Sequence, residues 1–122
     1  MTTSLRPYYF VFNHQEFHQA IGENKGLGKE IVTIVLSELP TRIGTIQNSV
    51  KLSETGVLRR EMHDLKGIVG LLGCTRLYQL ISELKLNDQA IDPPQRLSLH
   101  AILERLKMLE NDLIQFSKME LL

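Results

Sequence analysis

Apolar residues recur at three- and four-residue intervals along most of this chain, and no segment alternates long enough to make a convincing strand pair. From Lys29 to about Leu52 the repeat runs through Ile31, Ile34, Val35, Leu39, Ile43, Ile46 and Val50. Pro40 interrupts it and predicts a kink or a break near Leu36 to Leu39, because proline lacks the N–H that the preceding turn needs. A second stripe, Leu58, Met62, Leu65, Val69 and Leu72, predicts a helix that Ser53 begins, with Glu54 in its first turn, and that Gly73 ends. Thr75 then caps a helix with Leu77, Leu80, Ile81 and Leu84 on its apolar face. Asp92 before Pro93 and Pro94 marks a loop and a helix start, with aspartate at the cap and proline in the first turn. Leu99, Leu103, Leu106, Leu109, Leu113 and Phe116 make that last helix amphipathic.

A shorter helix is expected from His14 to about Ile21, capped by Asn13 and ended by Gly22, and Gly22 to Gly28 reads as a turn-rich connection. Four substantial helices joined by short loops predict an all-α fold. The architecture expected is an antiparallel up-down four-helix bundle with a short additional N-terminal helix as a lid. Residues 1–122 are expected to form a single helical domain, with about 1–12 as an N-terminal segment. A chain of 122 residues can bury a core without metal or disulfide support.

The helix carrying the second stripe has an unusual opposite face. Counting by three and four from His63 gives Lys66, Gly67 and Gly70, with Arg59 one turn before. Glycine inside a helix costs about 1 kcal/mol relative to alanine, so Gly67 and Gly70 together sacrifice about 2 kcal/mol. A bland explanation is close packing by a neighbouring helix. The two glycines, however, share their face with Arg59, His63 and Lys66 rather than with Leu65 and Val69. The face therefore reads as a surface that something large must approach.

Composition narrows the partners. Lys plus Arg and Asp plus Glu both number 14, so the formal net charge is zero and nothing favours nucleic acid or an anionic membrane. No apolar run approaches the ~18 residues that a membrane span needs. Tyr8 to Phe12 is too short for a signal-peptide core. The single cysteine, Cys74, excludes an internal disulfide, fits a reducing compartment and is expected to be a small buried residue. A cytoplasmic monomer is the expectation.

A solvent-facing imidazole offers a free ring nitrogen at neutral pH, competent to attack phosphorus. Lys66, one turn along, would balance charge on the phosphoryl oxygens during and after transfer. Phosphoryl transfer depends mainly on positioning and electrostatics, so a partner docked over Gly67 and Gly70 could supply the rest, any metal included.

Met62-His63-Asp64-Leu65-Lys66-Gly67-Ile68-Val69-Gly70-Leu71-Leu72-Gly73 resembles the signature of histidine-containing phosphotransfer (HPt) domains of bacterial phosphorelays. His63, Leu65, Lys66, Gly67 and Gly73 match the family's histidine, its leucine-lysine-glycine triplet and the glycine that ends the helix. Leu77, Leu80 and Leu84 fit the apolar spacing that follows. The resemblance implies a helical bundle carrying an exposed histidine, His63, that accepts a phosphoryl group from a receiver-domain aspartate and passes it to another receiver. The receivers would belong to a hybrid sensor kinase or a response regulator. The chain would need no cofactor of its own, the magnesium being expected on the receiver. Arg59, Arg60, Gly67, Gly70 and Leu71 would form the docking surface. Ile68, Val69 and Leu71 depart from the small or polar residues usual there. Ile68 and Val69 point away from His63 and can be core, whereas Leu71 falls nearer the rim and makes the site greasier.

Other signals are weaker. Gly22 to Lys29 is spaced one residue too long for a P-loop, and Glu30 stands where a serine or threonine is needed, so no intrinsic kinase activity is expected. His14 and His18 have a metal-compatible spacing but lack further ligands, so no metal site is expected. His100 lies beside an apolar stripe with nothing catalytic near it. Two other readings compete with a phosphocarrier: a module that binds and inhibits receivers without carrying phosphate, and a purely structural bundle.

Overall fold

The computed structural model describes residues 9–86 and 90–119, and among these five helices make up the fold. They are α1 (His14–Ala20), α2 (Lys25–Lys51), α3 (Thr55–Leu71), α4 (Thr75–Glu83) and α5 (Pro93–Met119). Residues 1–8 of the expected N-terminal segment, Tyr8 included, lie outside the described residues. Helix α2 packs against α3 and α5, and α4 closes the ring between α3 and α5. With short connections between successive helices, this is the up-down bundle that the apolar stripes predict. Leu39 and Ile46 from α2, Leu58 and Leu65 from α3, Leu77 from α4 and Leu106 from α5 are fully buried in the core.

Several ends differ from the sequence reading, each for a local reason. Helix α2 begins at Lys25 rather than Lys29, because the Asn24 side chain accepts a hydrogen bond from the Leu27 N–H at 3.0 Å and caps it. Gly26 and Gly28 are therefore helical, and Gly28 clears space for α1: a Cβ there would stand 2.9 Å from Ile21 Cδ1. Pro40 causes no break, and α2 runs unbroken through it to Lys51. Its ring lies on the exposed side, while Leu39 and Ile43 hold the helix to the core. Ser53 is not a cap: its φ of 54° places it in the turn after α2, and α3 starts at Thr55 after Glu54. Cys74, not Thr75, precedes the first residue of α4.

Other expectations hold. Asn13 accepts from the Glu16 N–H to cap α1, and Gly22 takes a left-handed φ of 66° beyond its end. Asp92 and Gln95 cap α5 reciprocally, each side chain accepting from the other's backbone N–H, at 2.8 and 3.0 Å.

One buried charge went unread in the sequence. Asp112 of α5 is 2% exposed, and its carboxylate accepts hydrogen bonds from the N–H groups of Phe10, Val11 and Phe12 at 3.2, 2.7 and 3.0 Å. The donors compensate the desolvation of the carboxylate and anchor the segment before α1. Phe12 is thereby held against Phe17 and Phe116, with ring centroids 5.7 and 5.0 Å away.

Cys74 is buried, as expected, and that burial, with a further push from the charge of Asp112, raises its thiol to about 12.

Asp112→Ala should lower unfolding free energy by about 3 kcal/mol, since each orphaned buried N–H costs about 1–3 kcal/mol. The Phe10, Val11 and Phe12 amides should also exchange hydrogen faster. A loss below about 1 kcal/mol would show that the segment is held by its rings alone. Cys74 sets an alkaline limit. Above the ordinary thiol value of 9.0 the unfolded chain releases a proton that the folded chain keeps until about 12, so stability falls across that window. Urea unfolding across it should show an added slope of up to about 1.4 kcal/mol per pH unit, absent in Cys74→Ala.

Candidate functional site

Burial of Leu58, Met62, Leu65 and Val69 fixes the rotation of α3 and turns His63 outward, where it is exposed. Arg59 and Arg60 are exposed one turn earlier, and Gly67 is exposed one turn later. A Cβ built on Gly67 would meet nothing within 4 Å, so the surface beside His63 is open.

The two flanks of this face differ. Toward α4, a Cβ on Gly70 would touch the Tyr78 ring at 3.4 Å, and the half-buried Lys66 places its Nζ 5.3 Å from the centroid of that ring. Gly70 thus makes room for a side chain of this bundle, while Gly67 faces open space. Toward α2, half-buried Leu71 and Ile68 join Ile31, Ile34 and Val35 around a groove of about 210 Å³, with Glu38 at its edge. Val69 is core, as its spacing predicts.

An ionic link sets the same flank. Arg42 of α2 donates from Nη1 to Glu61 Oε1 at 2.8 Å and from Nη2 to Glu38 Oε1 at 3.3 Å, with Asp64 Oδ2 4.0 Å away. Burial opposes the charge on Arg42, but the hydrogen bonds and charges of Glu61 and Glu38 outweigh it and raise its pKa. The guanidinium thereby offsets the carboxylates gathered on the α2 flank of α3. Neither Arg42 nor Tyr78 was singled out by spacing. An i, i+4 Glu38–Arg42 pair was the only sequence signal, and nothing marked Tyr78.

The face therefore brings together an exposed imidazole, a cation one turn along and a bare turn with open space over it. The remaining histidines lie apart from one another or in other roles. His14 packs edge-on to the Tyr9 ring at 6.1 Å, His18 Nε2 is 3.9 Å from Glu23, and His100 pairs with Glu104 at 3.8 Å. Among the described residues no three His, Cys, Asp or Glu side chains cluster to hold a metal, and no helix is long and apolar enough to cross a membrane.

A family model described as the Hpt domain matches residues 30–109, which span most of α2, all of α3 and α4, and most of α5. Comparison with curated proteins and with solved structures gives no match in either.

The three glycines after His63 should respond oppositely to alanine. Gly67→Ala should stabilise the protein by up to about 1 kcal/mol, because the site is helical and open. Gly73 has a φ of 70°, and a Cβ there would stand 2.9 Å from Asn13 Cβ. Gly73→Ala should therefore cost about 1–3 kcal/mol. Gly70→Ala should lie between them. Urea unfolding checks the order, and a destabilising Gly67→Ala would mean that Gly67 serves packing.

Proposed function

The chain belongs to the Hpt domain family, and on that footing we propose that His63 is its phosphoryl acceptor. Members of this family serve histidine phosphotransfer in phosphorelays, interact with receiver domains and act as phosphocarriers rather than enzymes. In the reading proposed here, His63 takes the group from the aspartyl phosphate of one receiver and delivers it to another. A neutral ring nitrogen of His63 attacks phosphorus, the P–O bond to the aspartate breaks, and its electron pair restores the carboxylate. The ring keeps its proton on the other nitrogen. Lys66 balances the negative oxygens after transfer, and the magnesium belongs to the receiver.

The observation that carries this reading is the exposed His63 beside the empty space over Gly67. In-line attack needs reacting atoms about 3–3.5 Å apart, so a receiver's active-site loop must come down onto this helix. A bare turn beside the nucleophile permits that approach. Arg59, Arg60, Gly70 and Leu71 form the rest of the docking surface, with Leu71 giving it an apolar edge. We place the protein in the cytoplasm, where receivers operate and a free Cys74 persists.

Incubation with a labelled phosphorylated receiver tests the assignment. Label should appear on the chain as an acid-labile, base-stable phosphoramidate, and His63→Gln should abolish it. Label on folded His63→Gln would exclude His63, and binding without transfer would favour an inhibitory module. Lys66→Ala should slow transfer about tenfold or more, corresponding to about 1.4 kcal/mol, while stability changes by less than about 1 kcal/mol. Gly67→Gln should fold normally yet dock weakly. Unchanged transfer in Lys66→Ala would reduce Lys66 to a solvated charge.

A further inference from the structure

Lys66 is rooted between two competing attractions. Gly70, against which the Tyr78 ring lies, is seven residues beyond His63, about 10 Å along the helix axis. The Lys66 ammonium sits 5.3 Å from the centroid of that ring. Side chains on a helix lean toward its N-terminus, so a phosphoryl group on His63 would project still farther from Tyr78. An ammonium drawn to the phosphoryl oxygens would move away from the ring.

Resting on the assignment of His63 as the carrier, we propose that Tyr78 is a positioning residue. Its ring is the seat of the Lys66 ammonium in the unphosphorylated protein, and phosphorylation of His63 draws the ammonium off it. The ring, not the hydroxyl, makes both contacts. An ammonium is attracted to the face of an aromatic ring by its quadrupole, and a doubly negative phosphoryl group one turn away attracts it more strongly. The seat therefore stabilises the unphosphorylated form alone, and it lowers the chain's phosphoryl affinity by the strength of one exposed cation–π contact. Such a device sets how readily the carrier gives up its load.

The NMR signal of the Lys66 ε-methylene protons reports the seat, because the ring shields them and moves them upfield. Phosphoramidate can serve as donor. Its phosphoryl group forms a P–N bond to the unprotonated ring nitrogen of His63 as the original P–N bond breaks. The departing nitrogen, which carries three hydrogens in the zwitterionic donor, leaves as ammonia, and the ring keeps its proton on the other nitrogen. Phosphorylation should move the Lys66 signal downfield to the position of a free lysine. Tyr78→Phe should behave like the parent, whereas Tyr78→Leu should show the free position from the start. Tyr78 is 40% exposed, so both variants should fold. At exchange equilibrium with a phosphorylated receiver, Tyr78→Leu should raise the ratio of phosphorylated to unphosphorylated chain about two- to fivefold, the size of an exposed cation–π contact. In a Lys66→Ala background the same substitution should change nothing. A Lys66 signal unmoved by phosphorylation, or a ratio unchanged or lowered in Tyr78→Leu, overturns the seat and leaves the carrier assignment standing. Failure of His63 to become phosphorylated removes both.

Discussion

Burial of the stripe Leu58, Met62, Leu65 and Val69 is the constraint on which the site depends. These side chains are at most 6% exposed, and they leave α3 no freedom to rotate about its axis. His63 must then face outward, with Gly67 one turn after it and Lys66 and Gly70 on the α4 side. Arg42 reinforces the setting from α2, since its bond to Glu61 spans the two helices on the flank opposite Lys66. A neutral replacement at Arg42 would leave Glu61 and Asp64 uncompensated on that flank.

Three glycines in this short stretch answer three different physical demands. Gly73 reverses the chain with a positive φ, and it lets Asn13 come close enough to donate its N–H to the Leu72 carbonyl at 3.1 Å. Gly70 accommodates the Tyr78 ring. Gly67 meets no demand from within the bundle, and that is why it carries the functional argument. A helix gives up about 1 kcal/mol for such a residue, which makes sense where another molecule must come near.

Much of this was legible in the sequence because periodic burial writes itself into residue spacing. The stripes of α3, α4 and α5 and the caps at Asn13 and Asp92 are local features, and the His63 face follows from the α3 stripe by geometry alone. The failures were of two kinds. Glycines at 26 and 28 looked like turn residues, when Asn24 already caps a helix into which α1 packs. Of the kink or break that Pro40 predicts, no break occurs, because the flanking core residues outweigh one lost hydrogen bond of the backbone. Contacts between distant segments left almost no trace. Asp112 sits on an apolar face between Leu109 and Phe116, an anomaly that could have marked it as buried, yet its backbone partners lie about a hundred residues away. The Tyr78–Lys66 contact had no signal at all.

The central claim is that, of the four histidines in this chain, the one on the bare face of α3 carries phosphate. Heteronuclear NMR of the chain labelled with ¹⁵N at histidine, recorded after exchange with a phosphorylated receiver, tests it most directly. The account predicts phosphorus coupling on a ring nitrogen of His63, with the rings of His14, His18 and His100 unchanged. Coupling on any of those three, or none on a folded chain that binds the receiver, would contradict it.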